Sequence, residues 1–170
     1  MTPVGYRRLI LTRHAKSDWD DPQIPDRERP LNARGRRGAL LLGDWLASRG
    51  HEPEEVLCSP ARRTRETWEL ASLAAMETRP SLRFDPAIYE ATPETLLAVV
   101  RGAQQQTVML VGHNPSIANL AAMLPARVPL DPAFRRYPTS ATLVLDFQID
   151  AWADLQPGTG SVLDFVSFDD

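Results

Sequence analysis

The 170-residue sequence holds one cysteine, three histidines and only 7% aromatic residues. Cys58, being alone, forms no intrachain disulfide, so a reducing compartment, the cytoplasm by default, is expected. No apolar run nears the roughly 20 residues of a membrane-spanning helix. Met1-Thr2-Pro3-Val4-Gly5 lacks the basic and apolar regions of a secretory signal. Paired Cys/His spacings, an HExxH pattern and a glycine-rich phosphate loop are all missing, so neither a metal ion nor a cofactor is expected. Positive charge is not in excess: the net charge of −3 excludes a general nucleic-acid binder.

What is present is ordinary for a globular protein, with 43% hydrophobic and 24% charged residues. The length fits one domain over residues 1–170. Charge is unevenly spread. Residues 1–65 carry 13 Lys/Arg and 9 Asp/Glu, against 6 and 13 in residues 66–170. Arginines grouped among candidate site residues in an acidic chain suggest a local anionic ligand such as phosphate.

Leu9-Ile10-Leu11-Thr12 reads as a buried strand running out into Arg13-His14, the place where open α/β sheets bind ligands. Polar, proline-marked residues 17–30 form a long loop. Asn32 then caps a helix to about Arg49, stopped by Gly50, with Leu41, Leu42, Trp45 and Leu46 on its core face. Gly35, Gly38 and Gly43 in that helix point to close packing on the sheet. Val56-Leu57-Cys58 is a second strand. Ser59 as cap and Pro60 at the first position open a helix to about Ala75, which turns Ala61, Thr64, Trp68 and Ala71 to the sheet. An extended piece near Leu82–Phe84 precedes a helix from Thr92 or Pro93.

Thr107–Gly112 is another apolar strand, ending in His113. Asn114-Pro115 repeats the cap signal before a helix over 116–124. A proline-marked loop over 125–138 leads to a half-buried alternating strand over 141–149, and a last strand covers 161–168. The expected fold is an α/β three-layer sandwich with a largely parallel central sheet flanked by helices. His51 is expected to be exposed, and the four tryptophans to serve packing.

Parallel neighbours bring Arg13-His14, Ser59 with its arginines, and Gly112-His113 to one sheet edge. Two histidines among arginines suit phosphoryl transfer to a neutral imidazole, with guanidiniums binding the phosphoryl oxygens. A backbone carbonyl or carboxylate on the second ring nitrogen would fix the tautomer. A cysteine phosphatase is excluded, because Thr64 stands where Cys-x5-Arg chemistry requires arginine after Cys58.

Four stretches, in order, resemble the histidine phosphatase superfamily, which includes phosphoglycerate mutases, and within it the SixA-type phosphohistidine phosphatases. They are Leu11-Thr12-Arg13-His14-Ala15-Lys16-Ser17, Arg29-Pro30-Leu31-Asn32-Ala33-Arg34-Gly35, Ser59-Pro60-Ala61-Arg62-Arg63-Thr64-Arg65-Glu66-Thr67 and Val111-Gly112-His113-Asn114-Pro115. Ala15 stands where the wider superfamily has glycine. The resemblance implies that His14 is the nucleophile that becomes phosphohistidine, and that Arg13, Arg63 and His113 bind the transferring group. Lys16 and Ser17 are candidate substrate contacts. Glu90 has two readings, a general acid or a surface carboxylate.

The implied substrate is a phosphorylated protein such as a histidine phosphotransfer domain. Only 49 residues separate Arg63 from His113, which leaves little chain for a lid. The alternatives are a phosphatase or mutase of small phosphorylated metabolites, and a module that binds phosphate groups without turnover.

Overall fold

The structure, a computed structural model, describes residues 5–168. The stretch read for a secretory signal lies outside them except for Gly5. Six strands form one sheet: β1 (Arg7–Arg13), β2 (Glu55–Cys58), β3 (Ser81–Phe84), β4 (Thr107–Gly112), β5 (Thr142–Phe147) and β6 (Ser161–Val166). Their order is β3-β2-β4-β1-β5-β6. β3, β2, β4 and β1 run parallel, and β5 is antiparallel to both β1 and β6. Four helices flank it: α1 (Ala33–Ser48), α2 (Arg62–Ala71), α3 (Pro93–Arg101) and α4 (Ser116–Met123). Among the described residues no helix is long and apolar enough to cross a membrane.

The period-2 alternation of the strands divides the core into two layers. Leu9, Leu11, Leu57, Val108 and Leu110 pack with Leu96, Leu97 and Val100 of α3 and Ile117 and Leu120 of α4. Ile10, Val56, Cys58, Met109 and Val111 face the other way, onto Leu42 and Leu46 of α1 and Trp68 and Ala71 of α2. The expected three layers are therefore present.

Several local expectations need correction. Leu41 is not on the core face of α1 but 46% exposed. Gly35 and Gly43 pack on neighbouring backbone rather than on the sheet: a Cβ at Gly35 would strike the Lys16 carbonyl, and one at Gly43 the Ala71 carbonyl. The α2 helix starts at Arg62, capped by no side chain, and ends at Ala71 rather than about Ala75. Asn114 does not cap α4, because its amide Nδ2 donates to the carbonyls of Arg136 and Tyr137. Strand β5 is covered on both faces rather than half-buried, since Thr142 and Val144 are as buried as Leu143 and Leu145.

His51 is 6% exposed, not a surface residue. Its Nε2 lies 3.0 Å from Asp164 Oδ2, which ties the end of α1 to strand β6, and its ring lies against Trp45. The other capping and turn readings agree with the structure. Asn32 Oδ1 accepts from the Gly35 N–H, Thr92 accepts from the Thr95 N–H, and Gly50, just past α1, has φ +72°.

Candidate active site

Register assembles the site. Arg13 pairs with Gly112, so His14 and His113 leave adjacent parallel strands side by side, their ring centroids 5.4 Å apart. Cys58 pairs with Val111, which puts Ser59 on the same edge. The carboxyl ends of β2, β4 and β1 thus meet, as expected for ligand sites in parallel sheets.

His14 is 6% exposed and held from several sides. Its N–H donates to the Gly112 carbonyl, and its carbonyl accepts from the Ser140 N–H. The next residue, Ala15, donates its N–H to Thr67 Oγ1 at 2.9 Å, and Thr67 donates to the Arg63 carbonyl at 2.6 Å. One threonine of α2 therefore links the loop after β1 to the arginine-bearing turn. Nδ1 of His14 lies 2.7 Å from the Ala15 carbonyl. A carbonyl can only accept, so Nδ1 carries the hydrogen and Nε2 holds the free lone pair.

Burial lowers the His14 pKa well below 6.5, and His113, Arg13 and Arg63 press it down further. His113, whose Nε2 lies 2.8 Å from Ser59 Oγ, is pulled to about 3, mainly by burial and then by Arg63. Both rings are neutral at pH 7. Ser59 thus serves His113 and the Ala61 N–H rather than capping α2.

Three arginines surround the imidazoles. Arg13 donates from NH1 to the Tyr137 carbonyl. Arg63, from the first turn of α2, sends NH1 to the Asp26 carbonyl at 2.7 Å and NH2 to Asp26 Oδ2 at 3.0 Å. Arg29 donates from NH1 to Ser17 Oγ and from NH2 to Asp26 Oδ1. The Asp26 carboxylate also accepts from the Tyr89 hydroxyl at 2.5 Å. Partial burial works against ionisation of Asp26, yet the bonds from Tyr89, Arg29 and Arg63 hold its pKa well below the usual carboxylate range. The same contact raises the Tyr89 pKa. Nε of Arg29 and Nε of Arg63 are buried without a hydrogen-bond partner among the described residues. Buried donors left unmade are costly, and an oxyanion would satisfy them.

A cavity of about 350 Å³ gathers Arg13, His14, Lys16, Ser17, Arg63 and His113, all expected from the sequence. Lys16 is the only lysine of the chain. Glu90 is not brought in: it is exposed, has φ +56° and does not line the cavity. The residue before it, Tyr89, sets its ring edge-to-face with His113 at 5.5 Å. Arg29, Trp19, Asn114, Pro138 and Thr139 complete the walls. Trp19 corrects the expectation that every tryptophan serves packing, being 74% exposed on the rim. Among the described residues, no three His, Cys, Asp or Glu side chains cluster as a metal site requires.

Arg29 was within reach of sequence reading, since it opens the Arg29–Gly35 segment, whereas Asp26 stands outside it. The pairing of Asp26 with Arg63, 37 positions away in the chain, left no local signal.

Comparison with known proteins agrees with this geometry. Rv1276c of Mycobacterium tuberculosis, a protein of uncharacterised function, is 35% identical over 160 residues, 90% of this chain and 97% of that one. A solved structure from Nakamurella multipartitia, assigned as the phosphohistidine phosphatase SixA, has a TM-score of 0.79 at 30% identity and covers 97% of this chain and 98% of its own. One from Agrobacterium tumefaciens with the same assignment has a TM-score of 0.75 at 29% identity, covering 98% and 99%. Residues 9–92, which hold His14 and Arg63, match the histidine phosphatase superfamily (branch 1). With a buried neutral imidazole beside arginines at the head of a parallel sheet, and relatives that match it nearly end to end, the chain belongs to the histidine phosphatase superfamily.

Proposed function

We propose that the protein is a phosphohistidine phosphatase that dephosphorylates a protein, such as a histidine phosphotransfer domain, through a phospho-His14 intermediate. The observation that carries this reading is His14 itself, a buried neutral imidazole with Nδ1 tied to a carbonyl and Nε2 left to attack, beside Arg13, Arg63 and His113. Nε2 attacks phosphorus and forms an N–P bond as the bond to the substrate imidazole breaks, that imidazole leaving neutral with a proton taken from solvent on its other nitrogen. Water then attacks phosphorus and releases a proton to solvent, the Nε2–P bond breaks with its electron pair returning to Nε2, and inorganic phosphate leaves. The guanidiniums and His113 hold the phosphoryl oxygens while charge shifts, the usual source of rate in such transfers. A phosphoimidazole leaves more readily than an alkoxide, so this reaction does not depend on Glu90 as an acid.

The narrow span between Arg63 and His113 supports a protein substrate. The remainder of α2, then β3, the single helical turn Pro86–Ile88, α3 and β4, together take up more than half of it. A surface carrying phosphohistidine would meet an open mouth.

The test is phosphate release from a phosphohistidine-carrying protein, set beside sugar phosphates and an aryl phosphate. Release should be fastest from the protein and vanish in His14→Ala. Arg63→Ala should lose roughly a hundredfold or more in kcat, the usual scale for one charge-stabilising group. Full activity in His14→Ala would end the mechanism. Preference for a sugar phosphate would keep the mechanism and move the substrate to small metabolites.

A further inference from the structure

Trp19 has no task in the reaction proposed above, although it stands on the rim of the cavity. An indole is a side chain that folding normally buries, and this one is 74% exposed. It is nevertheless held. The guanidinium carbon of Arg29 lies 3.6 Å from the ring centroid, and Arg29 is itself fixed by Ser17 and Asp26. The backbone on its N-terminal side is pinned as well: Ser17 bridges Leu31, and the Asp18 N–H donates to the Pro30 carbonyl at 2.8 Å. A cation–π contact to an immobilised arginine orders an indole without burying it. A flat apolar surface is thus kept in water at the mouth of a cavity lined largely by charged and polar side chains.

We propose that Trp19 is the platform on which the leaving group stacks, and that it selects planar leaving groups over aliphatic alcohols. The class includes the imidazole of phosphohistidine and the phenol of an aryl phosphate. This inference rests on the phosphatase reading of the same site. His14, Arg13, Arg63 and His113 grip the phosphoryl group whatever it is attached to, so they cannot tell one leaving group from another. Discrimination falls to the rim, where a flat ring gains stacking area on the indole and a glycerol or sugar gains little.

The experiment compares wild type, Trp19→Ala and Trp19→Phe on phenyl phosphate, glycerol phosphate and a phosphohistidine-carrying protein. Calorimetry on phenylphosphonate and methylphosphonate, which carry the same phosphonate head and are not hydrolysed, reports binding without turnover. Trp19→Ala should lower kcat/KM on phenyl phosphate and on the phosphohistidine protein about tenfold more than on glycerol phosphate. It should also remove the preference for phenylphosphonate, and Trp19→Phe should restore most of both. Equal losses on all three substrates would overturn the proposal. So would a loss confined to the protein substrate, which would make Trp19 a docking contact. If wild type hydrolyses none of them yet prefers phenylphosphonate, the platform stands and the hydrolytic reading falls. If wild type binds the two phosphonates equally, the platform falls even where hydrolysis is found.

Discussion

The Asp26 carboxylate accepts hydrogen bonds from Arg63, Arg29 and Tyr89, and its backbone carbonyl accepts a second from Arg63. Both terminal nitrogens of Arg63 are thereby fixed by one residue, which sets the plane of the guanidinium before any substrate arrives. Preorganised charge is worth more in the transition state than charge that must be gathered there. Asp26→Ala should therefore lower kcat by roughly tenfold to a hundredfold, and Asp26→Asn, which keeps an acceptor of the same shape, should lose less. Steady-state kinetics on an aryl phosphate decide it: an unchanged kcat in Asp26→Ala would show that Arg63 needs no such anchor. Arg13, His14 and His113 could be read from the sequence because each stands at or just past the end of an apolar strand, while only the resemblance to the family's motif singles out Arg63 among its neighbouring arginines. Asp26 could not be read, since its partners approach from 37 and 63 positions away. Trp19 was missed for a different reason. Burial is the sound expectation for tryptophan, and only Arg29 folding back over the ring makes exposure tenable.

At the scale of elements, α1 is joined to the site by two glycines with different duties. Gly35, in its first turn, leaves room for the Lys16 carbonyl on the loop that follows His14. Gly43, two turns on, leaves room for the Ala71 carbonyl at the end of α2. Backbone cannot yield as a flexible side chain can, so alanine at either place displaces a neighbour. Overpacking of this kind costs about 1–3 kcal/mol. The two substitutions should separate. Gly35→Ala should lower kcat/KM beyond its effect on stability, by displacing Lys16 and the loop that carries His14. Gly43→Ala should lower the unfolding midpoint in urea and leave kcat nearly unchanged. Equal kinetic losses in both would show that the close approach at Lys16 has no special bearing on catalysis. Sequence placed these glycines in a helix but assigned them to the sheet, because what each touches belongs to another segment. The cap at Ser59-Pro60 failed similarly. Local chemistry favours Ser59 as a helix cap, but the structure places its hydroxyl beside His113, and α2 begins at Arg62 instead.

For the whole molecule, apolar periodicity was enough to predict three layers, because three of the four parallel strands, β1, β2 and β4, are short hydrophobic runs each followed by a helix. It misjudged β5, whose alternating Thr142 and Asp146 suggest one wet face. Thr142 is in fact satisfied inside, 3.0 Å from Thr12, and Asp146 pairs with Arg8. Burying polar groups that are satisfied costs little, whereas the two buried site histidines tie stability to pH. The folded pKa of His14 is lowered and that of His113 lies at about 3, while an unfolded histidine titrates near 6.5. Between those values the unfolded chain binds more protons than the folded one, so stability rises with pH across this window. The contribution is complete above about 6.5 and is lost as the pH falls toward the folded values. Asp26, also lowered, adds a loss of the same sign, but only below the ordinary aspartate value of 3.8. Urea unfolding at pH 7.5, 6.5, 5.5 and 4.5 in phosphate-free buffer, so that no bound anion adds stability, should show little change in the first step. Thereafter it should fall by up to about 1.4 kcal/mol per pH unit for each histidine. His113→Gln should be shallower over the lower three points, because one of the two linked protons is gone. A profile as flat at pH 4.5 as at 7.5 would mean that both imidazoles take up protons within the folded protein, and a neutral nucleophile would then no longer follow from burial.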